Sequence, residues 1–136
     1  ILMDVYCFKE CNKRYGRLSG DRALAELAVL IEKDTRVDDL AARYGGDEFA
    51  LLLPGAGGAR LLDIAETLRS EIREHAFLRE DGRTARLTVS IGLAEFPQDA
   101  GDVAGLFRAA ERSLDKAKAG GGDRVNTAAV PIADKK

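Results

Sequence analysis

Arg43-Tyr44-Gly45-Gly46-Asp47-Glu48-Phe49 is the stretch that decides the fold. Apolar residues run up to it from Leu40 and away from it to Leu53. Two short strands around a Gly-Gly pair read as a β-hairpin, Leu40–Tyr44 and Phe49–Leu53, with the glycines supplying positive φ at a tight turn. Such a turn needs glycines, but it does not need two acidic residues straight after them. Asp47 and Glu48 therefore place two carboxylates at the rim of a sheet, poorly suited to burial and well suited to a cation. Successive strand residues point to opposite faces, so the two share one cation only if the turn breaks the alternation or main-chain oxygens help. The alternative is a solvated hairpin whose acidic residues serve solubility.

Before the hairpin, Ile1-Leu2-Met3-Asp4-Val5 is short and apolar, and reads as a buried strand. A fold rarely begins inside a core strand, so the domain is expected to be N-terminally incomplete. Phe8–Tyr15 reads as a polar helix stopped by Gly16, and Ser19 or Asp21 is a candidate cap for a second helix with Leu24, Leu27, Ala28 and Ile31 on one face. After the hairpin, Pro54–Gly58 is a loop and Leu61–His75 an amphipathic helix. Glu80–Arg83 is a turn and Arg86–Phe96 an alternating strand. A last helix from about Asp102 to Ala119 is expected to bury Leu106, Phe107, Ala110, Leu114 and Ala117. Gly120–Gly122 ends it, and Arg124–Thr127 is a final strand. This order predicts an α+β domain over residues 1–127, with a mostly antiparallel central sheet flanked by helices, and a frayed tail over 128–136.

Composition narrows the chemistry. The chain has 136 residues, 46% hydrophobic and 32% charged, which suits one soluble globular domain. Its net charge of −2 argues against a broad nucleic-acid surface. No apolar run approaches the roughly 20 residues of a membrane span. Two cysteines, Cys7 and Cys11, make neither a disulfide framework nor a structural zinc site, and read as small apolar side chains. His75 is the single histidine and reads as a solvent-exposed helix flank, which leaves little room for histidine-based acid–base schemes. Carboxylates remain. If the first strand lies beside the hairpin, Asp4 joins Asp47 and Glu48, and three carboxylates without histidine suit Mg²⁺. Ions there that bridge phosphates would support in-line phosphoryl transfer. Residues 5–22 hold five basic side chains against two acidic ones, a local excess that favours a polyphosphate. For Lys13 and Arg14, an exposed charged helix face is the preferred reading.

Arg43–Phe49 followed by an apolar strand resembles the signature of GGDEF domains, the diguanylate cyclases. The resemblance extends from Asp4 to Val125. It implies a fold similar to nucleotidyl cyclases and polymerase palms, with a ferredoxin-like βαββαβ core. It implies condensation of two GTP molecules into cyclic di-GMP with release of two pyrophosphates, using two Mg²⁺ or Mn²⁺ ions per active site. Asp4, the Val5 carbonyl, Asp47 and Glu48 match the metal site, and Asp47 and Glu48 the catalytic acidic positions. The Cys7 and Phe8 main-chain N–H groups and Lys9 match the phosphate contacts, as does Lys118. For Lys118 the competing reading is a cation at a helix C-terminus. Asn12 and Asp21 match the guanine-reading residues, and Leu24 lines the base pocket. Arg36 and Asp39, in Arg36-Val37-Asp38-Asp39, match an inhibitory product site, although an Arg-x-x-Asp run also arises by chance in charged loops. A further arginine that some members carry falls at Thr67.

The resemblance also implies a cytoplasmic domain under an upstream sensory or regulatory domain, in a parent protein that can be membrane-anchored. It implies an antiparallel homodimer, because each 3′-hydroxyl attacks the other chain's nucleotide. Tyr6 stands where the family commonly has aspartate, and Gly122 where it has arginine. These departures leave a second reading open: a weak or inactive module that binds GTP or cyclic di-GMP as a sensor.

Overall fold

In a computed structural model, which describes residues 1–6 and 8–128, the opening apolar run forms β1 (Leu2–Tyr6) at the centre of a five-stranded sheet. Two helices follow, α1 (Phe8–Tyr15) and α2 (Arg17–Lys33), and then the hairpin β2 (Leu40–Arg43) and β3 (Glu48–Leu52). Helix α3 (Gly58–Glu74), a short 3₁₀ turn at Arg79–Asp81 and β4 (Thr88–Leu93) come next. Helix α4 (Val103–Ala119) and β5 (Arg124–Thr127) complete the order. The strands lie β2-β3-β1-β4-β5. Every pairing is antiparallel except β4 with β5, which is parallel. The first four strands with their helices form a ferredoxin-like βαββαβ core, and α4-β5 extends it, so the fold is α+β with a mostly antiparallel sheet.

The pleat divides the core. Met3, Val5, Phe49, Leu51, Val89 and Ile91 face α2 and α3, whose Leu24, Leu27, Ile31, Leu61, Leu68 and Ile72 are buried against them. Leu2 faces the other way, with Ala110 and Leu114 of α4. Helix α4 comes close because β4 presents Gly92 to it: a Cβ there would lie inside van der Waals contact of the Leu114 nitrogen and the Ala110 oxygen. The Asp102 side chain caps α4, accepting from Gly105 N at 2.7 Å.

Several expectations are corrected. Neither Ser19 nor Asp21 caps α2, which starts at Arg17 after Gly16 at φ 93°. Ser19 instead accepts from Arg83 Nη1 at 3.0 Å, joining α2 to the loop before β4. Helix α3 begins at Gly58, three residues earlier than its apolar pattern, with Glu95 accepting from the Gly58 N–H at 2.8 Å. Phe107 is exposed rather than buried, its ring edge-on to Tyr44 with centroids 5.8 Å apart. His75 is half-buried: Nε2 lies 3.1 Å from Glu26 Oε1, and the ring packs against Phe77. Cys11 is buried as an apolar side chain, and burial pushes its thiol pKa up. Cys7 and all of the expected tail except Ala128 lie outside the described residues.

Candidate metal and nucleotide site

The hairpin turn departs from the expected geometry in a way that builds the site. Neither Gly45 nor Gly46 has positive φ. Strand β2 ends, and β3 begins, one residue earlier than the turn reading supposed, so residues 44–47 form the connection and Glu48 opens β3. Tyr44 N donates to Glu48 O at 3.1 Å. The Arg43 guanidinium folds onto the turn, with Nη2 donating to Gly46 O at 2.6 Å. Gly45 is needed for clearance instead: a Cβ there would stand 3.2 Å from Glu48 Cβ, Cδ and Oε2. The glycine lets the Glu48 side chain lie back over the turn.

This resolves the alternation problem. Asp47 belongs to the turn, and its carbonyl accepts from Val5 N at 3.0 Å, which fastens the turn to β1. Glu48 is the first strand residue and sits directly opposite Asp4 across β1 and β3. Oxygens of Asp4, Asp47 and Glu48 lie within 4.8 Å of one another. The set is all carboxylate oxygen, which fits a hard divalent cation. The electrostatics agree. Burial, and then the charge of Asp4, holds the Asp47 carboxyl above the usual carboxylate range. Burial and then the neighbouring Glu48 push the Tyr44 phenol up as well. Clustered negative charge of this kind disfavours ionisation unless a cation offsets it.

One cation of the chain already does so. Lys118, in the last turn of α4, places Nζ 2.5 Å from Asp4 Oδ2, and that contact pushes the lysine pKa up. Asp4, Asp47, Lys118, Lys9, Phe8 and Tyr6 share one cleft of about 230 Å³. Ser90 also lines it. This buried residue sits opposite Asp4 across β1 and β4 and went unremarked in the sequence. Its signal was a polar side chain within the apolar alternation Leu87, Val89, Ile91 and Leu93. Tyr6 borders the turn at Gly122: a Cβ on that glycine would lie 3.5 Å from the Tyr6 ring and 3.3 Å from Ser90 Oγ.

The residues expected at guanine do not line this cleft. Asn12 is half-buried over Gly20, and its Oδ1 has no hydrogen-bond partner among the described residues. Asp21 is exposed at the next position, and Leu24 lies in the core at 2% exposure. Gly20 is the clearance here too, since any Cβ would collide with the Asn12 amide. Arg36 and Asp39 lie elsewhere, on a second cleft between the α2–β2 loop and α3. Asp39 Oδ2 accepts from Arg36 N at 2.8 Å, which closes that loop.

Comparison with known proteins places these features in context. The family model described as diguanylate cyclase, GGDEF domain, matches residues 1–124. Diguanylate cyclase A of Treponema denticola is 33% identical over 125 residues, covering 92% of this chain and 33% of the relative. The chain thus spans about a third of that relative's length. The GGDEF domain of PA1120 (YfiN or TpbB) from Pseudomonas aeruginosa superposes with a TM-score of 0.87 at 35% identity, covering 96% of this chain and 81% of that one. The GGDEF domain of DgcB from Caulobacter crescentus, solved in complex with c-di-GMP, gives 0.83 at 29% identity, covering 93% and 75%. Among the described residues, no helix is long and apolar enough to cross a membrane.

Proposed function

This chain belongs to the GGDEF domain family, and we propose that it is a diguanylate cyclase that condenses two GTP molecules into cyclic di-GMP and two pyrophosphates. The convergence of Asp4, Asp47 and Glu48 within 4.8 Å carries this reading. With the Val5 carbonyl, these residues would hold Mg²⁺ or Mn²⁺, two ions per site. The bound cation supplies neutralisation of the triphosphate's charge.

The chain's own residues do the rest. Lys9 and Lys118 bind phosphate oxygens, together with the main-chain N–H groups of Cys7 and Phe8. Asn12 and Asp21 hold guanine: the carboxylate accepts from its N1–H and N2–H, and the amide donates to an acceptor on the ring. Leu24 backs the base pocket. A carboxylate of the cluster accepts the 3′-hydroxyl proton while that oxygen bonds to the partner nucleotide's α-phosphorus and the bond to pyrophosphate breaks. Two chains face each other about a twofold axis, one GTP on each. Arg36 and Asp39 form a product-binding site for inhibition. The catalytic domain occupies residues 1–127 and works in the cytoplasm under an upstream regulatory domain.

The setting of Tyr6 against Gly122 favours a second reading, since no arginine lines the cleft among the described residues and Arg124, two positions on, folds onto the turn with Nε donating to Gly122 O at 3.2 Å. In that reading the chain binds GTP or cyclic di-GMP without turnover. Incubation with GTP and Mg²⁺, with product identified by mass, separates the two. Cyclic di-GMP that disappears in Glu48→Ala supports the cyclase. Tight nucleotide binding without product supports the sensor.

A further inference from the structure

Among the described residues two polar side chains are almost wholly buried, Ser90 and Ser113, each 2% exposed. Ser113 is accounted for, because its Oγ donates to Ala109 O at 3.0 Å, one helical turn back. The Ser90 hydroxyl has no hydrogen-bond partner among the described residues. An unpaired buried hydroxyl is unfavourable, so one kept inside a strand calls for a ligand that completes it. The pleat sets where it points. Val89 and Ile91 face α2 and α3, whereas Gly92 faces α4. Ser90 is in phase with Gly92, so its hydroxyl lies on the α4 side of the sheet. It opens there into the 230 Å³ cleft that Lys9 and Lys118 also line. Glu48, Asp4 and Ser90 form one lateral row, with Glu48 opposite Asp4 and Asp4 opposite Ser90. Ser90 therefore stands beyond Asp4, outside the carboxylate cluster and on the side away from Glu48.

We infer that Ser90 is a further substrate-binding residue, its Oγ–H donating to a phosphate oxygen of the nucleotide in this cleft. This rests on the reading of the cleft as a metal and nucleotide site. The chemistry of the lining names the ligand class. Carboxylates suit a hard cation, and the two ammonium groups and the hydroxyl are all donors. A phosphate group uses all of them, since its oxygens ligate the cation and accept from lysine and serine together. Gly122 keeps the hydroxyl open to that ligand. A Cβ at 122 would stand 3.3 Å from Ser90 Oγ, so any side chain there would begin directly over it. Its absence removes a guanidinium from the turn and uncovers a neutral donor in the sheet below. Ser90 adds no charge. It gives direction to a phosphate that Lys118, paired with Asp4 across the same row, attracts.

The test is calorimetric titration of a non-hydrolysable GTP analogue, with Mg²⁺ present, into the 136-residue chain and its Ser90→Ala variant. The substitution removes an unpaired hydroxyl, so the melting temperature of ligand-free protein is expected to stay the same or rise. Affinity for the analogue is expected to fall at least about tenfold, the loss of one hydrogen bond to a charged group. Manganese uptake without nucleotide is expected to be unchanged. Ser90→Cys, close in size and a weak donor, is expected to show the same loss of affinity and serves if Ser90→Ala does not fold. Equal affinity in the variants and the unsubstituted chain overturns the role of Ser90 and leaves the nucleotide site standing. A lower melting temperature with weakened manganese uptake makes Ser90 a support for the carboxylates and also overturns it. No binding of the analogue by the unsubstituted chain overturns the nucleotide reading and this inference with it.

Discussion

Lys118 Nζ sits 2.5 Å from Asp4 Oδ2, so the last turn of α4 reaches over β1 to offset one of three clustered carboxylates. The lysine is nearly half exposed and its partner mostly buried, so after solvent screening the pair contributes about 1 kcal/mol. Lys118→Met is expected to lower the melting temperature of metal-free protein by roughly 2–6 °C. Saturating Mg²⁺ then removes most of that difference, because the cation takes over the offsetting role. Scanning fluorimetry with and without Mg²⁺ reads both values. An equal loss in the two conditions would show that Lys118 acts only as a structural cation.

Burial and the neighbouring acids hold the Asp47 carboxyl above its ordinary value of 3.8. The folded state therefore keeps a proton that the unfolded chain has released, and this group's contribution to stability falls as pH rises through that interval. Asp47→Asn is expected to stabilise metal-free protein at about pH 7 and to give progressively less gain as the pH falls below the ordinary value of 3.8, where the carboxyl is protonated in both states. Melting curves of the two proteins across that range test the sign. A gain independent of pH would place its origin outside ionisation.

Gly45 and Gly46 are neighbours with different duties. A Cβ at Gly45 meets the Glu48 side chain, whereas a Cβ at Gly46 meets nothing within 4 Å. Gly45→Ala is expected to cut cyclic di-GMP formation at least about tenfold with a stability change below about 1 kcal/mol, because it displaces one carboxylate at the rim. Gly46→Ala keeps most of the activity. Equal behaviour of the two variants would show that the placement of Glu48 does not depend on the close approach.

Gly92→Ala tests the seat of α4. Its Cβ would strike helix backbone rather than a movable side chain, so a loss of about 3 kcal/mol is expected, read as a lower denaturant midpoint at unchanged slope. A loss under about 1 kcal/mol would mean that α4 shifts freely on β4.

The sequence discloses the site better than the loops around it. Asp4, Asp47 and Glu48 stand out because ionisable residues interrupt apolar runs, and apolar runs give the strand order. The turn was harder. Two adjacent glycines look like a demand for positive φ, yet here Gly45 clears space for Glu48 three residues away, a tertiary reason that no local pattern carries. The start of α2 at Arg17 was hidden for the same reason: Ser19 is spent on Arg83, a contact 64 positions distant. Phe107 reads as core on helical spacing, but α4 turns it toward the solvent-side ring of Tyr44. Ser90 is unremarkable until the fold brings it to its cleft.

Manganese binding, followed by electron paramagnetic resonance on the intact chain with a non-hydrolysable GTP analogue present, tests the carboxylate cage most directly. The account predicts saturable binding that is lost in Asp4→Asn and in Glu48→Gln and kept in His75→Gln, with all variants folded. Binding that survives both carboxylate substitutions, or a chain that takes up no manganese at all, would contradict it.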